Sequence, residues 1–408
     1  MTALRHRDFR RLWLAGLISD TGDWLLLVAL PILVYQRTQS TLQTAFAFLV
    51  ELGPAVLLGP VAGRLADRVD RRRLLVAVIL AQAAALLPLL VSSALPVLYA
   101  VIAVEAALVT LFGPAKNALL PALVPDGELV SANALVGLNQ NLGRLAGGPL
   151  GGLLLAVGDL RVIVIADLVT FLTAAALIAG IAARPAPARP AAGGRGPLGR
   201  VKVAFVVAAL AGVAQGIFVV LFVVWVAREL GGGATETGLL RGVQAVGAIA
   251  AGVLLATLRR TPGPAVLIAA GAGAFGLLSF AVWNGPVVTT ALPLYVVLFV
   301  LTGVPGLVMV TGLVSFLQRE AGEQARGRAF GLFGAVYEGA SGVGMLAAGL
   351  LGDRLGVMPV LEVQAGLYVA AGLLAWFMRR GRQSSSSSVE NALASNAATA
   401  TPTTAIPT

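Results

Sequence analysis

The chain has 408 residues, 58% apolar and only 12% charged, with no cysteine, one histidine and a net charge of +10. A water-soluble surface cannot be built from this composition, since an average soluble domain is about 45–50% apolar and about 25% charged; the mean hydropathy of +0.90 points to lipid as the solvent. Thiol chemistry is excluded, the lone His6 makes no zinc site, and the basic residues form short clusters between apolar runs rather than an aromatic-basic stripe, which argues against nucleic acid.

The first apolar run, Leu12 to Tyr35, is too long for a signal h-region, has no small-residue cleavage site and carries Asp20 and Asp23. It is expected to be a retained first span. Asp20 and Asp23 stand at i and i+3 on one helix face, which Gly16 continues one turn earlier. Further runs long enough to cross a hydrocarbon core of roughly 30 Å, at about 1.5 Å per residue, fall at 41–64, 74–93, 96–120, 131–157 and 161–183. A second set falls at 203–227, 236–258, 264–284, 288–317, 329–351 and 358–378.

The pattern predicts an all-α membrane protein of twelve transmembrane helices in two six-helix halves, 1–183 and 203–380. The Pro-, Gly- and Arg-rich stretch at 184–202 reads as a cytoplasmic linker, and the low-complexity tail at 381–408 as disordered. A shift of 196 places GGPLGGLLLAVGD over VGMLAAGLLGDRL, as parallel repeats about an axis along the membrane normal would.

With the N-terminus inside, one side of the membrane carries Arg5, Arg7, Arg10, Arg11, Arg64, Arg68, Arg71, Arg72, Arg73, Arg184, Arg189, Arg195, Arg200 and Lys202. The same side continues with Arg259, Arg260, Arg319, Arg326, Arg328, Arg379, Arg380 and Arg382, which makes 22 of the 29 basic residues. The other side carries Arg37, Arg161, Arg228 and Arg354. The asymmetry predicts an inner-membrane protein with both termini cytoplasmic.

Between spans two and three lies Gly63-Arg-Leu-Ala-Asp67-Arg68-Val-Asp70-Arg71-Arg72-Arg73. It resembles the loop signature of the major facilitator superfamily, G-x-L-A-D-R-x-G-[RK]-[RK], with Asp70 where the pattern has glycine. Gly63 would let the end of span two approach a neighbouring helix, and Asp67 can cap a helix N-terminus or pair with arginine. The resemblance implies a conformational latch whose partner here is the start of span eleven, Arg326-Gly-Arg328. The fifth span holds Gly148-Pro149-Leu-Gly151-Gly152, close to the core of the motif that antiporters of the superfamily carry in this helix, with Arg144 in place of a glycine. Either an antiporter element or plain close packing fits these residues. Together with the N-terminal run and the GRAFGLFGAVYEG start of span eleven, they resemble the branch that contains macrolide efflux proteins and the enterobactin exporter. The resemblance implies alternating access around a cavity that the first helix lines.

Ionisable residues within spans are functional candidates by default. Counted from the predicted helix ends, Asp23, Glu51, Glu105, Arg144 and Glu338 lie mid-membrane and Asp20 nearer the inside. Asp167 and Arg241 lie nearer the outside and read as helix-end or structural groups. The Asp20/Asp23 pair suits reversible proton uptake or cation binding, and a structural pairing of Asp23 with a group on helix four or five is the alternative. Arg144 is expected to pair with a carboxylate, Glu51 or Glu105 among them, either as a switch or as a static bridge. Aromatic residues such as Phe48, Phe218 and Phe222 are spread over several spans, and those on helices one, four, seven and ten are candidates to line an apolar cavity.

An enzyme is not expected, because no nucleophile–base pair or metal set lies at membrane depth. The expected function is proton-coupled export of amphipathic small molecules such as macrolides or siderophores, with no cofactor beyond the proton gradient. The expected partners are protons, the substrate and the bilayer, and a monomer suffices. A proton-coupled importer, a lipid or lysophospholipid transporter of the same fold and a non-transporting sensor are the alternatives.

Overall fold

The computed structural model describes residues 2–182, 202–258, 262–321 and 326–377, with the side chains at 2, 56, 59–68, 118, 126, 130, 326 and 327 left aside. The expected linker, apart from Lys202, and the expected tail lie outside the described residues. So do the side chains of Gly63, Asp67, Arg68 and Arg326.

Twelve long helices carry the fold: α1 Arg7–Thr38, α2 Thr41–Arg68, α3 Arg71–Val91, α4 Leu95–Leu119, α5 Leu129–Val157, α6 Leu160–Ala179, α7 Lys202–Arg228, α8 Ala234–Thr257, α9 Pro264–Asn284, α10 Leu292–Glu320, α11 Arg326–Leu355 and α12 Val357–Phe377. No strand occurs among the described residues. Among the described residues nine helices are long and apolar enough to cross a membrane, and α5 and α11 are not among them. In α5 and α11 the reason is visible in the sequence. Glycines, Asn139, Asn141, Arg144, Glu338 and Ser341 replace bulky apolar residues on helices that pack against other helices, where lipid-facing hydrocarbon is not needed.

Local sequence explains the ends. Asp70, where the loop signature has glycine, is the N-cap of α3: its Oδ1 accepts from the Arg73 backbone N–H at 2.9 Å. It takes a negative φ, so the turn between α2 and α3 does not need glycine. Arg72 donates to the Ala179 carbonyl and Arg11 to that of Gly180, while Asp8 accepts from the Ala182 N–H at 3.0 Å. Cations thus meet the unpaired carbonyls at the end of α6. Gly356, with φ +90°, makes the one-residue turn between α11 and α12, a conformation that favours glycine.

Consecutive helices reverse direction, so the bundle has a proximal end, where α1 begins, and a distal end, where α1 stops and α2 starts. Helices α1–α6 pack among themselves, mainly α1 with α5 and α6, α3 with α4 and α6, and α2 with α4. In the other group α7 packs with α11, and α10 with α8 and α9. The two groups meet along two seams, α5 against α8 and α2 against α11.

Buried apolar residues form three clusters. One draws only on the first six helices and their flanks, from Phe9 and Leu12 to Phe171 and Ile178. Another draws on the second group alone, including Ala204, Leu313 and Tyr368. The third mixes both groups and is distal: Val28, Ile32, Tyr35, Ala45 and Phe48 pack with Val223, Trp225, Leu240, Met345 and Leu361. Its heart is aromatic, with Trp225 5.0 Å from Trp283 and 5.5 Å from Tyr295, and Phe222 5.3 Å from Phe299, ring to ring. The groups are therefore joined by apolar packing at their distal end.

Candidate functional site

The seams explain how the distal end closes. Gly148 and Gly152, one turn apart on α5, lie against α8: a Cβ on Gly148 would sit 3.1 Å from the Gly238 carbonyl oxygen, and one on Gly152 2.2 Å from that of Ala234. Gly147 and Gly151, on the adjacent face, meet α1 at Thr21 and Leu25, while the Pro149 ring abuts Gly242. The motif therefore seats α5 between its own group and the opposite one, and close packing accounts for each glycine.

The α2–α11 seam follows heptad spacing. Gly342, Gly349 and Gly352 of α11 meet Leu52, Leu42 and Thr41 of α2. Further down the same α11 face, Gly331 and Gly334 have no neighbour within 4 Å, and neither does Gly339 beside them. Among the described residues the contacts between the two helices are distal. At the distal rim Arg228 of α7 donates to the Tyr35 hydroxyl at 2.8 Å and pairs with Asp353 of α11 at 3.3 Å.

Beneath this seal lies a cavity of about 470 Å³ between the groups. Its wall is mostly apolar, with Leu26, Leu30, Phe48, Leu52, Val223 and Phe222 among the lining residues, and it is crossed by Asp23, Glu51, Glu105, Glu338 and Arg241. Asp23 of α1, Glu51 of α2 and Glu105 of α4 belong to the first group, Glu338 of α11 and Arg241 of α8 to the second. Glu105 accepts from Gln82 Nε2 at 3.0 Å, and its other oxygen is buried without a partner. Arg241 lies over the Phe218 ring at 4.9 Å and the Trp24 ring at 5.8 Å. These are cation–π contacts rather than ion pairs. Among the described residues no arginine or lysine comes within 4 Å of Asp23, Glu51, Glu105 or Glu338.

Several expectations change here. Asp20 does not share the cavity wall with Asp23: a Cβ on Gly143 of α5 would lie 2.9 Å from the Asp20 Cβ, and Asp20 is absent from the lining. Residues at i and i+3 diverge enough around the axis for α5 to cover one and leave the other open. Gly16 likewise faces Asn139, not the cavity. Among the described residues Arg144 pairs with no carboxylate. It donates to the Arg241 carbonyl at 3.1 Å and to Gln244 Oε1 at 2.6 Å across the α5–α8 seam, and lies 5.7 Å from the Trp24 ring centre. Arg241 is a cavity residue and not a helix-end group. Asp167 is 0% exposed and level with Gly22 at the middle of α1.

Of the loop residues, Arg71 is buried in the proximal part of the first group, and Arg72 holds the end of α6 rather than α11. Arg328 is exposed. Sequence reasoning passed over Arg241, Gln244 and Trp24 as a set. The signal was the i, i+3 pair Arg241 and Gln244 in a span that is otherwise apolar and small.

The sequence profile of a family described as transmembrane secretion effector matches residues 1–401. The uncharacterized MFS-type transporter YfiS of Bacillus subtilis (strain 168) is 33% identical over 140 residues, 34% of either chain. The enterobactin exporter EntS of Salmonella choleraesuis (strain SC-B67) is 33% identical over 159 residues, 38% of either chain. Each of these matches spans little more than a third of the relative's length. Among solved structures, a bacterial homologue of the iron transporter ferroportin in an inward-facing state superposes with a TM-score of 0.74 at 19% identity, covering 90% of this chain and 98% of that one. A POT family transporter in complex with a thioalcohol-conjugated peptide gives a TM-score of 0.78 at 10% identity, covering 92% and 96%. At such identities the likeness is one of fold, and the fold is that of the major facilitator transporters.

Proposed function

The chain belongs to the transmembrane secretion effector family, and on that premise we propose that this membrane transporter is a proton-coupled exporter of amphipathic small molecules. It works by alternating access in a bacterial inner membrane, with both termini cytoplasmic. The arginine asymmetry makes the proximal end cytoplasmic, so a cavity sealed distally is one that loads from inside. The similarity to enterobactin exporters over part of the chain favours export.

The observation that carries the reading is the cavity wall: hydrocarbon and aromatic surface interrupted by carboxylates without ion-pair partners among the described residues. Apolar wall recognises the body of an amphiphile, and a few polar groups fix its orientation. Carboxylates at membrane depth that hold no cation of their own exchange protons or accept one from a substrate. Four of them against Arg241 disfavour an anion. Weakly basic, macrolide-like amphiphiles therefore rank ahead of catechol siderophores.

The test is accumulation in inside-out vesicles under an imposed pH gradient, with a radiolabelled macrolide and a radiolabelled siderophore as probes. Gradient-dependent accumulation of the macrolide above that in vesicles lacking the protein supports the reading. Accumulation of neither probe, or of either without regard to the gradient, overturns it.

A further inference from the structure

α6 carries one carboxylate, Asp167, on the face formed by Leu160, Ile163, Val164, Phe171, Ala174 and Ile178. Every other member of that face is apolar or small and packs into the first group's core. An ionised, unpaired carboxylate there would be strongly unfavourable, and neither of its oxygens meets a cation: Oδ2 is buried with no hydrogen-bond partner, and Oδ1 meets only the Thr170 hydroxyl at 2.8 Å.

That same hydroxyl lies 2.8 Å from the Asp167 backbone carbonyl. A threonine hydroxyl has one proton to donate and lone pairs with which to accept. Its two short contacts, both to oxygens, are satisfied together when Thr170 donates to the carbonyl and accepts from a protonated Asp167 carboxyl. The contact is then an O–H···O bond from the acid to Thr170, and no charge is buried.

The position of this carboxyl joins it to the cavity. It sits in the notch that Gly22 leaves on α1, where a Cβ would stand 2.0 Å from Asp167 Oδ1 and 2.3 Å from Thr170 Oγ1. The next residue on α1 is Asp23, on the cavity wall. The charged groups within electrostatic range of Asp167 are Asp23 from α1 and Glu105 from α4, and Asp20 and Lys116 lie in turn within range of Asp23. Of the other helices packed on α6, α3 offers Gln82, which is bonded to Glu105, and α5 brings no titratable group to act on Asp167 among the described residues.

We propose that Asp167 is a buried proton-holding site of the transport cycle, set behind α1 and apart from the substrate cavity, with Asp23 as its exchange partner. When Asp23 has released its proton to the cavity, the proton leaving Asp167 becomes the O–H of Asp23 and Asp167 is left as the carboxylate; reloading runs the other way. Movement of α1 against α6 controls the exchange, because the carboxyl rests on the α1 backbone. The cycle role rests on the proton-coupled reading above, whereas the protonation state does not.

The test has two arms. Infrared spectra of the purified full chain at pH 7 are expected to show a protonated-carboxyl band that Asp167→Asn removes and that Thr170→Val, which keeps the side chain's shape, moves to a different frequency. A band unchanged in both variants overturns the proposal. In vesicles, gradient-driven macrolide accumulation is expected to fall about tenfold or more in Asp167→Asn, while exchange without a gradient stays within about twofold. Gradient-driven and exchange fluxes that fall together overturn the coupling role. A wild-type protein that moves no macrolide overturns the exporter reading and leaves the infrared result to decide protonation.

Discussion

Asp353, at the end of α11, caps the start of α2: its Oδ2 lies 3.1 Å from the Thr41 backbone nitrogen and its Oδ1 2.5 Å from the Thr41 hydroxyl. The N-terminus of a helix in one group is thus capped by a carboxylate of the other, a contact made only while the distal end is closed. The ends of α2 and α11 read Gly63-Arg-Leu-Ala-Asp67-Arg68 and Gly349-Leu-Leu-Gly-Asp353-Arg354. The two helices therefore end on the same glycine-to-Asp-Arg spacing in sequence.

Replacing Asp353 with alanine removes the cap and the partly exposed pair with Arg228. A lost cap costs about 1 kcal/mol and an exposed pair at most about 1 kcal/mol more, so the distal-closed state should lose about 5- to 30-fold in population. A cysteine at Ala348, buried in the mixed apolar cluster of a chain with no native cysteine, should then label faster from the distal side. Equal labelling rates with and without Asp353 would refute the latch.

The α5–α8 seam predicts a contrast between two glycines. A Cβ on Gly238 would fall 2.3 Å from the Gly148 carbonyl oxygen, so Gly238→Ala should force the seam apart and lower stability by about 1–3 kcal/mol. Gly137 has nothing within 4 Å, and Gly137→Ala should raise stability by up to about 1 kcal/mol through helix propensity. Thermal unfolding in detergent reads both. Identical shifts in the two variants would contradict the packing described.

Arg241 and Glu51 lie within electrostatic range across the cavity. Removing Arg241 alone takes away the cation that acts on Glu51, so Arg241→Met should impair transport more than the double variant with Glu51→Gln. The double-mutant cycle should give a coupling of about 0.5–3 kcal/mol in macrolide affinity. Additive effects would show that the two residues act independently.

Arg144 holds the seam through geometry. Its guanidinium bonds to the Arg241 carbonyl and Gln244 and stacks on Trp24, an arrangement that a lysine ammonium cannot reproduce. Arg144→Lys should therefore behave like Arg144→Gln in transport assays. Wild-type transport by the lysine variant would show that charge alone suffices.

Membrane class, helix ends and the close-packing role of Gly148 and Gly152 were legible because each follows from local rules: apolar run length, capping chemistry and small residues where backbones meet. Asp23, Glu51, Glu105 and Glu338 were legible because a charge at membrane depth stands out in sequence. Asp167 and Arg241 were misplaced for one reason. Counting from a helix end gives depth along a single helix, but α1 is 32 residues long and α6 only 20, so equal counts do not mean equal heights. Which face α5 covers is likewise decided by Gly143 and Gly147, residues far from Asp20 in sequence. Arg144 could not be assigned its partners because they are a backbone carbonyl and an amide, neither marked by charge.

We propose that cavity carboxylates couple export to protons. This coupling is tested most directly by pH-gradient-driven macrolide accumulation in inside-out vesicles carrying the wild type, Asp23→Asn or Glu51→Gln. Gradient-driven accumulation is expected in the wild type and is expected to be lost in at least one variant, with exchange across the membrane retained. Full gradient-driven accumulation in both variants would contradict it.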